Sequence, residues 1–268
     1  MDPFLKQMLW GLVPTLVAMG LVLLLGRKKP ELPIPALALW LGLLAGTVGL
    51  LQAWPAFPPK TALLALPYVL ILSLVVLVAP EKNWARLLAR VLLILGGLWV
   101  FLAPLAKYVF DGGEYLFWWG LLGISWLLLA PCLRFALEER PRLGFLQHAI
   151  LAGLAGVCAA LTGSLFLGQL AGLLGLGMGV LYVEALVAGP NFRREGVSEL
   201  FTMFYLLSIA LMYLASSTPP GVAILLVLGA FAPILSAIRE KGSRPLWLYM
   251  GPSFLLALAA TVWAWQVQ

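Results

Sequence analysis

Apolar residues run along this chain in long unbroken blocks, and the short stretches between them carry nearly all of its charge. The blocks do not alternate as a half-buried strand would, and they are apolar on every side. That is the pattern of helices surrounded by lipid, each needing roughly 17–25 residues to cross. The pattern predicts helices near 8–26, 34–53, 61–79, 87–106 and 115–133, then near 145–163, 170–188, 199–217, 220–238 and 246–265. Two of the predicted hairpins have no charge in their turns. The run 145–190 divides at "TGSLFLGQ", and the run 199–238 divides at "SSTPPG", where Pro219, Pro220 and Gly221 end a helix. "RFALEERPRLG" reads as a helix extension that ends at Pro141, and "DGGE", Asp111 to Glu114, as a tight turn. The fold class is therefore all-α, one transmembrane domain over 1–268 built as a bundle of ten membrane helices.

The positions of the charges test that count independently. Arg27/Lys28/Lys29, Lys82/Arg86/Arg90, Arg134/Arg140/Arg142, Arg193/Arg194 and Arg239/Lys241/Arg244 follow helices 1, 3, 5, 7 and 9. Only Lys60 and Lys107 follow helices 2, 4, 6 and 8. Lysine and arginine are retained on the cytoplasmic side, so the odd-numbered loops face inward and both termini lie outside. Merging either uncharged hairpin into one helix would destroy the alternation. The strong positive charge follows the first apolar stretch instead of preceding it, which describes an uncleaved helix and not a signal peptide. Trp54, the group from Tyr108 to Trp119, and Trp263/Trp265 fall at outer ends, while Trp40, Trp84 and Trp247 fall at inner ends. Aromatic rings of this kind anchor helices at the headgroups. Five helices per half give two halves of opposite orientation, 1–133 and 145–268, by parity alone.

Composition rules out a soluble domain. The chain is 63% apolar and 10% charged, with a mean hydropathy of +1.02; a soluble domain is closer to half apolar and a quarter charged. The net charge of +6 lies in scattered loop clusters, so nucleic acid is not the implied partner. The implied surroundings are the lipid bilayer of a bacterial-type inner (plasma) membrane, with other membrane proteins or further copies of the chain as partners. Cys132 and Cys158 have no companions at metal-ligand spacing, one histidine cannot supply bis-histidine haem, and no cofactor is expected. Zinc-protease HExxH and nucleophile-elbow GxSxG motifs are missing. "EGVSEL", Glu195 to Leu200, resembles a fragment of the acidic motif of undecaprenyl-diphosphate phosphatases, without the arginine-bearing segment that family requires. Ser198 as a helix cap with Glu199 in the first turn accounts for it without chemistry.

The candidate chemistry is sparse. Helix 6 carries a stripe of small residues at Ala152, Gly156, Ala160 and Gly163, and helix 7 carries Gly168, Gly172, Gly175 and Gly179. Spacings of three and four place each set on one face, where helices in lipid approach closely. Glu184, four residues before the end of helix 7, and His148, three after the start of helix 6, are expected at one depth, about 6 Å inside the cytoplasmic boundary. They form the expected intramembrane polar pair, for a proton or a substrate. Pro233 and Pro252 are expected bend points on helices 9 and 10, with Ser236 and Ser253 near enough to satisfy freed carbonyls. The pattern fits a permease-like secondary carrier of a small apolar or weakly charged solute. A non-catalytic membrane subunit or scaffold of a larger complex is the alternative, and an intramembrane enzyme the third reading. Ten helices and short loops resemble the drug/metabolite transporters in outline, but that group has its termini inside.

Overall fold

The computed structural model describes residues 3–26, 32–79, 83–108, 110, 112–188, 196–216, 218–238 and 246–267. Arg27/Lys28/Lys29, Arg193/Arg194 and Arg239/Lys241/Arg244, with Lys82, Asp111 and Glu195, lie outside the described residues, as do the side chains of Pro233, Ser236 and Trp247. Among the described residues the chain is all-helical, with ten helices and no strand. They are α1 (Pro3–Gly26), α2 (Ile34–Leu51), α3 (Ala62–Val78), α4 (Asn83–Tyr108) and α5 (Gly112–Glu139), then α6 (Pro141–Leu161), α7 (Leu165–Ala188), α8 (Val197–Ala215), α9 (Pro220–Ile238) and α10 (Leu246–Gln266).

Among the described residues seven helices, α1, α2 and α4 to α8, are long and apolar enough to cross a membrane. The 17 residues of α3 and the Pro220–Ala232 part of α9 form shorter apolar helices. Large apolar side chains cover the outside: Leu25, Val78, Val187 and Trp265 are between 69% and 74% exposed. Water does not tolerate such a surface, and lipid does. The chain is a helical, multi-pass integral membrane protein.

Both uncharged hairpins break where the sequence places the breaks. After α6, Thr162 caps the helix, and Gly163 takes φ +96°, a left-handed turn that a side chain would strain. Ser164 then accepts from the Leu167 amide to start α7. Between α8 and α9, the hydroxyls of Ser216 and Thr218 lie 2.8 Å apart, and that of Thr218 lies 2.7 Å from Thr162 at the end of α6. The extension of α5 runs to Glu139, one residue short of α6, and carries an Arg134–Glu138 ion pair at 2.6 Å. "DGGE" is not a tight turn throughout. Gly112 to Glu114 already form the first turn of α5, where an acid is favoured by the helix dipole.

The chain forms two compact units, Met1–Leu127 and Leu128–Gln268, divided within α5. In the first, α1 and α2 pack as an antiparallel hairpin. A Cβ on Gly49 would stand 2.0 Å from the Trp10 carbonyl oxygen, so only glycine permits the approach. Buried Thr15 donates to the carbonyls of Gly11 at 2.9 Å and of Gly42, across the interface, at 3.1 Å. Part-buried Trp40 also makes a contact between helices: its indole Nε1–H donates at 2.5 Å to the carbonyl of Leu70, midway along α3. In the second unit α6 pairs with α7 and α9 with α10. α6 also packs on α10, and α8 touches α6, α7 and α9.

Candidate functional site

The α6–α7 hairpin sets the geometry. A Cβ on Gly156 would stand 2.8 Å from the Gly168 carbonyl oxygen and 3.3 Å from the Gly172 nitrogen. One on Gly175 would stand 3.0 Å from the Ala149 carbonyl oxygen and 3.1 Å from the Gly153 nitrogen. At Gly172 and Gly179 a Cβ would meet nothing within 4 Å. These contacts fix an antiparallel register that sets His148 level with Met178, and Glu184 level with Arg142.

His148 and Glu184 therefore do not share a depth. Six positions separate the two levels, about 9 Å at 1.5 Å per residue. The cause is the short turn between the helices: α7 starts at Leu165, five residues earlier than the hydrophobic pattern implied, so His148 falls level with Met178 instead of beside Glu184. Glu184 is half-buried near the end of α7, whereas His148 is fully enclosed. No hydrogen bond joins them among the described residues. His148 Nδ1 meets the Gly144 carbonyl oxygen one turn back on its own helix, and Nε2 has no hydrogen-bond partner. The ring packs edge to face on Phe201 of α8, with centroids 4.7 Å apart, and Phe201 stacks on Tyr205 at 5.3 Å.

Gln147, the preceding residue, points to α10 and is also buried. Its amide Nε2 donates at 2.5 Å to the hydroxyl of Ser253, while its Oε1 has no hydrogen-bond partner. Ser253 follows Pro252, which lies inside α10. Its hydroxyl oxygen accepts this bond across from α6. Gly229 of α9 closes the same junction: a Cβ there would meet Leu151 at 3.4 Å and the Ser253 carbonyl oxygen at 3.5 Å. Pro233 falls within α9, whose backbone is helical to Ile238.

α8 supplies the rest. Every residue from Val197 to Met212 is buried, and polar Ser198, Glu199, Thr202, Tyr205 and Ser208 are among them. Ser198 is not the cap of this helix. Gly196 holds that position at φ +78° with no side-chain cap bond, and Ser198 and Glu199 lie in the first turn. The Thr202 hydroxyl is fully buried without a hydrogen-bond partner. Tyr205 donates to the Leu226 carbonyl of α9 at 3.0 Å, and Ser208 to the Phe204 carbonyl at 2.7 Å.

The structure thus sets Gln147 of α6 against Ser253 of α10 and His148 of α6 against Phe201 of α8, with Thr202 buried beside Phe201 in the sequence of α8. Sequence reasoning found His148 and missed Gln147 and Thr202. The available signal was the polar spacing 198, 202, 205 and 208 along an otherwise apolar helix, which lines one face. Cys132 donates to the Leu128 carbonyl of its own helix, and Cys158 lies 3.5 Å from the Thr261 hydroxyl; both are free thiols. Among the described residues no group of three or more His, Cys, Asp or Glu side chains is placed to hold a metal. Comparison with protein-family models, with curated proteins and with solved structures gives no match.

Proposed function

We propose that this protein is a permease-like secondary carrier of a small solute, with its route through the second unit. One observation supports the reading. Gln147 Oε1, His148 Nε2 and Thr202 Oγ1 are buried inside an apolar bundle with no protein partner. A buried polar group left unmet costs about 1–3 kcal/mol, whereas an apolar residue of similar shape would cost nothing. A bundle that only had to pack would not need these atoms. A solute in transit supplies the partners they lack.

In this reading all ten helices cross a bacterial-type inner membrane, with both ends outside. The loop charges support that orientation, and helices of 17 and 19 residues, α3 and α9, still reach the lower limit for a span of roughly 17 residues. Glu184, nearer the inner end, exchanges a proton with the cytoplasm, and Pro233 and Pro252 let α9 and α10 bend.

The test is uptake into proteoliposomes made with the purified protein, under an imposed proton gradient. Uptake should be lost in His148→Asn and Gln147→Leu proteins that remain monodisperse, and Glu184→Gln should lose the dependence on the gradient. Unchanged uptake in the two α6 variants would overturn the assignment. Native mass spectrometry showing a fixed complex with unrelated chains, and no uptake by the isolated chain, would favour a membrane subunit instead.

A further inference from the structure

The two unpartnered atoms of α6, His148 Nε2 and Gln147 Oε1, share a polarity. A carbonyl oxygen can only accept, so the contact of His148 Nδ1 with the Gly144 carbonyl places the ring hydrogen on Nδ1. In the uncharged ring Nε2 is then a bare lone pair, an acceptor. The amide nitrogen of Gln147 donates to Ser253, and its unpartnered atom, Oε1, is an acceptor as well. Tyr205 and Ser208 have their hydroxyl hydrogens on the Leu226 and Phe204 carbonyls. Thr202, free to turn, can serve either way.

Among the described residues of α6, α8 and α10, no buried cation stands by to hold an anion. α8 and α10 contain no lysine or arginine, and α6 has only Arg142, at its second position and exposed. The ionisable residue of α8 is an acid, Glu199, which is buried one turn before Thr202.

We infer that the buried acceptors of α6, where it packs on α8 and on α10, take a small solute that donates hydrogen bonds, an amine, ammonium or hydroxyl compound, and reject anions. The inference rests on the carrier reading of this site and names the class of solute it would carry.

The chain's single histidine makes the test direct, because ¹⁵N-histidine labelling reports one residue. Nitrogen spectra of the purified protein would be recorded in lipid nanodiscs, alone and with four probes. Methylammonium and ethylene glycol donate hydrogen bonds, tetramethylammonium has the same charge as the first without a donor, and acetate is an acceptor. The ligand-free spectrum should show Nδ1 protonated and Nε2 not. Nε2 should then shift saturably with at least one donor probe, and with neither tetramethylammonium nor acetate. Methylammonium acting alone assigns the site to nitrogen donors, and ethylene glycol acting alone assigns it to hydroxyls. In Gln147→Leu the half-saturating concentration should rise about tenfold, the loss of roughly one hydrogen bond.

A protonated Nε2 in the ligand-free protein, a saturable shift with acetate, or no saturable shift with either donor would each overturn the inference. The spectra read binding and not flux. A saturable donor shift in a protein that transports nothing keeps the donor site and removes the carrier. A transported anion keeps the carrier and removes the donor site.

Discussion

Gly156 and Gly168 face each other so closely that a Cβ on either would stand 2.8 Å from the other's carbonyl oxygen. Backbone, unlike a side-chain tip, cannot swing aside, so a methyl group here must push two helices apart. Gly156→Ala and Gly168→Ala should each destabilise by about 1–3 kcal/mol, the usual cost of overpacking. Gly179→Ala, with nothing within 4 Å of the new methyl, should be neutral or should stabilise by up to about 1 kcal/mol from helix propensity. Thermal unfolding in one detergent would rank the three. Equal losses at all three positions would show that glycine matters on α7 for a reason other than close approach.

Gln147 and Ser253 join α6 to α10 through one hydrogen bond of 2.5 Å. Ser253→Ala leaves a buried amide without its acceptor and should cost about 1–3 kcal/mol. Gln147→Leu removes both the donor and the unmet Oε1, so it should cost less than Ser253→Ala or even stabilise. The double variant should resemble Gln147→Leu alone, with a coupling of about 1 kcal/mol in a double-mutant cycle. Strict additivity would mean that the two side chains do not act together.

Much of this architecture is legible in the sequence because membrane helices impose strong rules on composition. The breaks at Thr162–Ser164 and at Ser216–Pro219 follow from chain chemistry that no tertiary contact overrides. The start of α6 was not legible: proline at its first position and the polar residues after it fit a loop as well as a first helical turn. Nor was the start of α7, since "LFLGQ" fits a turn as well as a first helical turn, and its early start at Leu165 is what separates His148 from Glu184 in depth. The site itself was half legible. A lone histidine in an apolar run draws notice, but Gln147 and Thr202 matter because α10 and α8 pack against α6, and packing between helices distant in sequence leaves no local mark. Glu199 shows the same limit, since a first-turn acid ordinarily faces solvent, yet here α8 is buried from its first residue.

Trp40 gives the first unit an interior polar contact, its Nε1–H lying 2.5 Å from the Leu70 carbonyl oxygen. That oxygen also accepts from the Ser73 hydroxyl at 2.6 Å. Trp40→Phe keeps most of the ring volume and removes the donor, so the expected loss is about 0.5–1.5 kcal/mol. A headgroup anchor would behave differently. Its replacement by phenylalanine would leave unfolding in detergent unchanged and would alter only the response to bilayer composition. Unfolding measured in detergent and in lipid separates the two roles.

The shortness of α3 makes its crossing the most informative point in the topology. Lys60 precedes α3, and Lys107 lies in the last turn of α4, so the two share a side of the membrane when α3 and α4 both cross it and lie on opposite sides when only one does. In a background with Cys132 and Cys158 replaced by alanine, single cysteines at 60 and 107 should both react with an impermeant maleimide added to intact cells. A cysteine at 28, among the positive charges that follow α1, should react only after permeabilisation. Labelling at 107 but not at 60 would mean that only one of α3 and α4 crosses, and the 17 residues of α3 make it the one to fail. Labelling at 28 alone would invert the whole chain. Because each crossing reverses the side of everything after it, positions 60 and 107 test whether one of α3 and α4 fails to cross, and position 28 tests the rule that orients the chain.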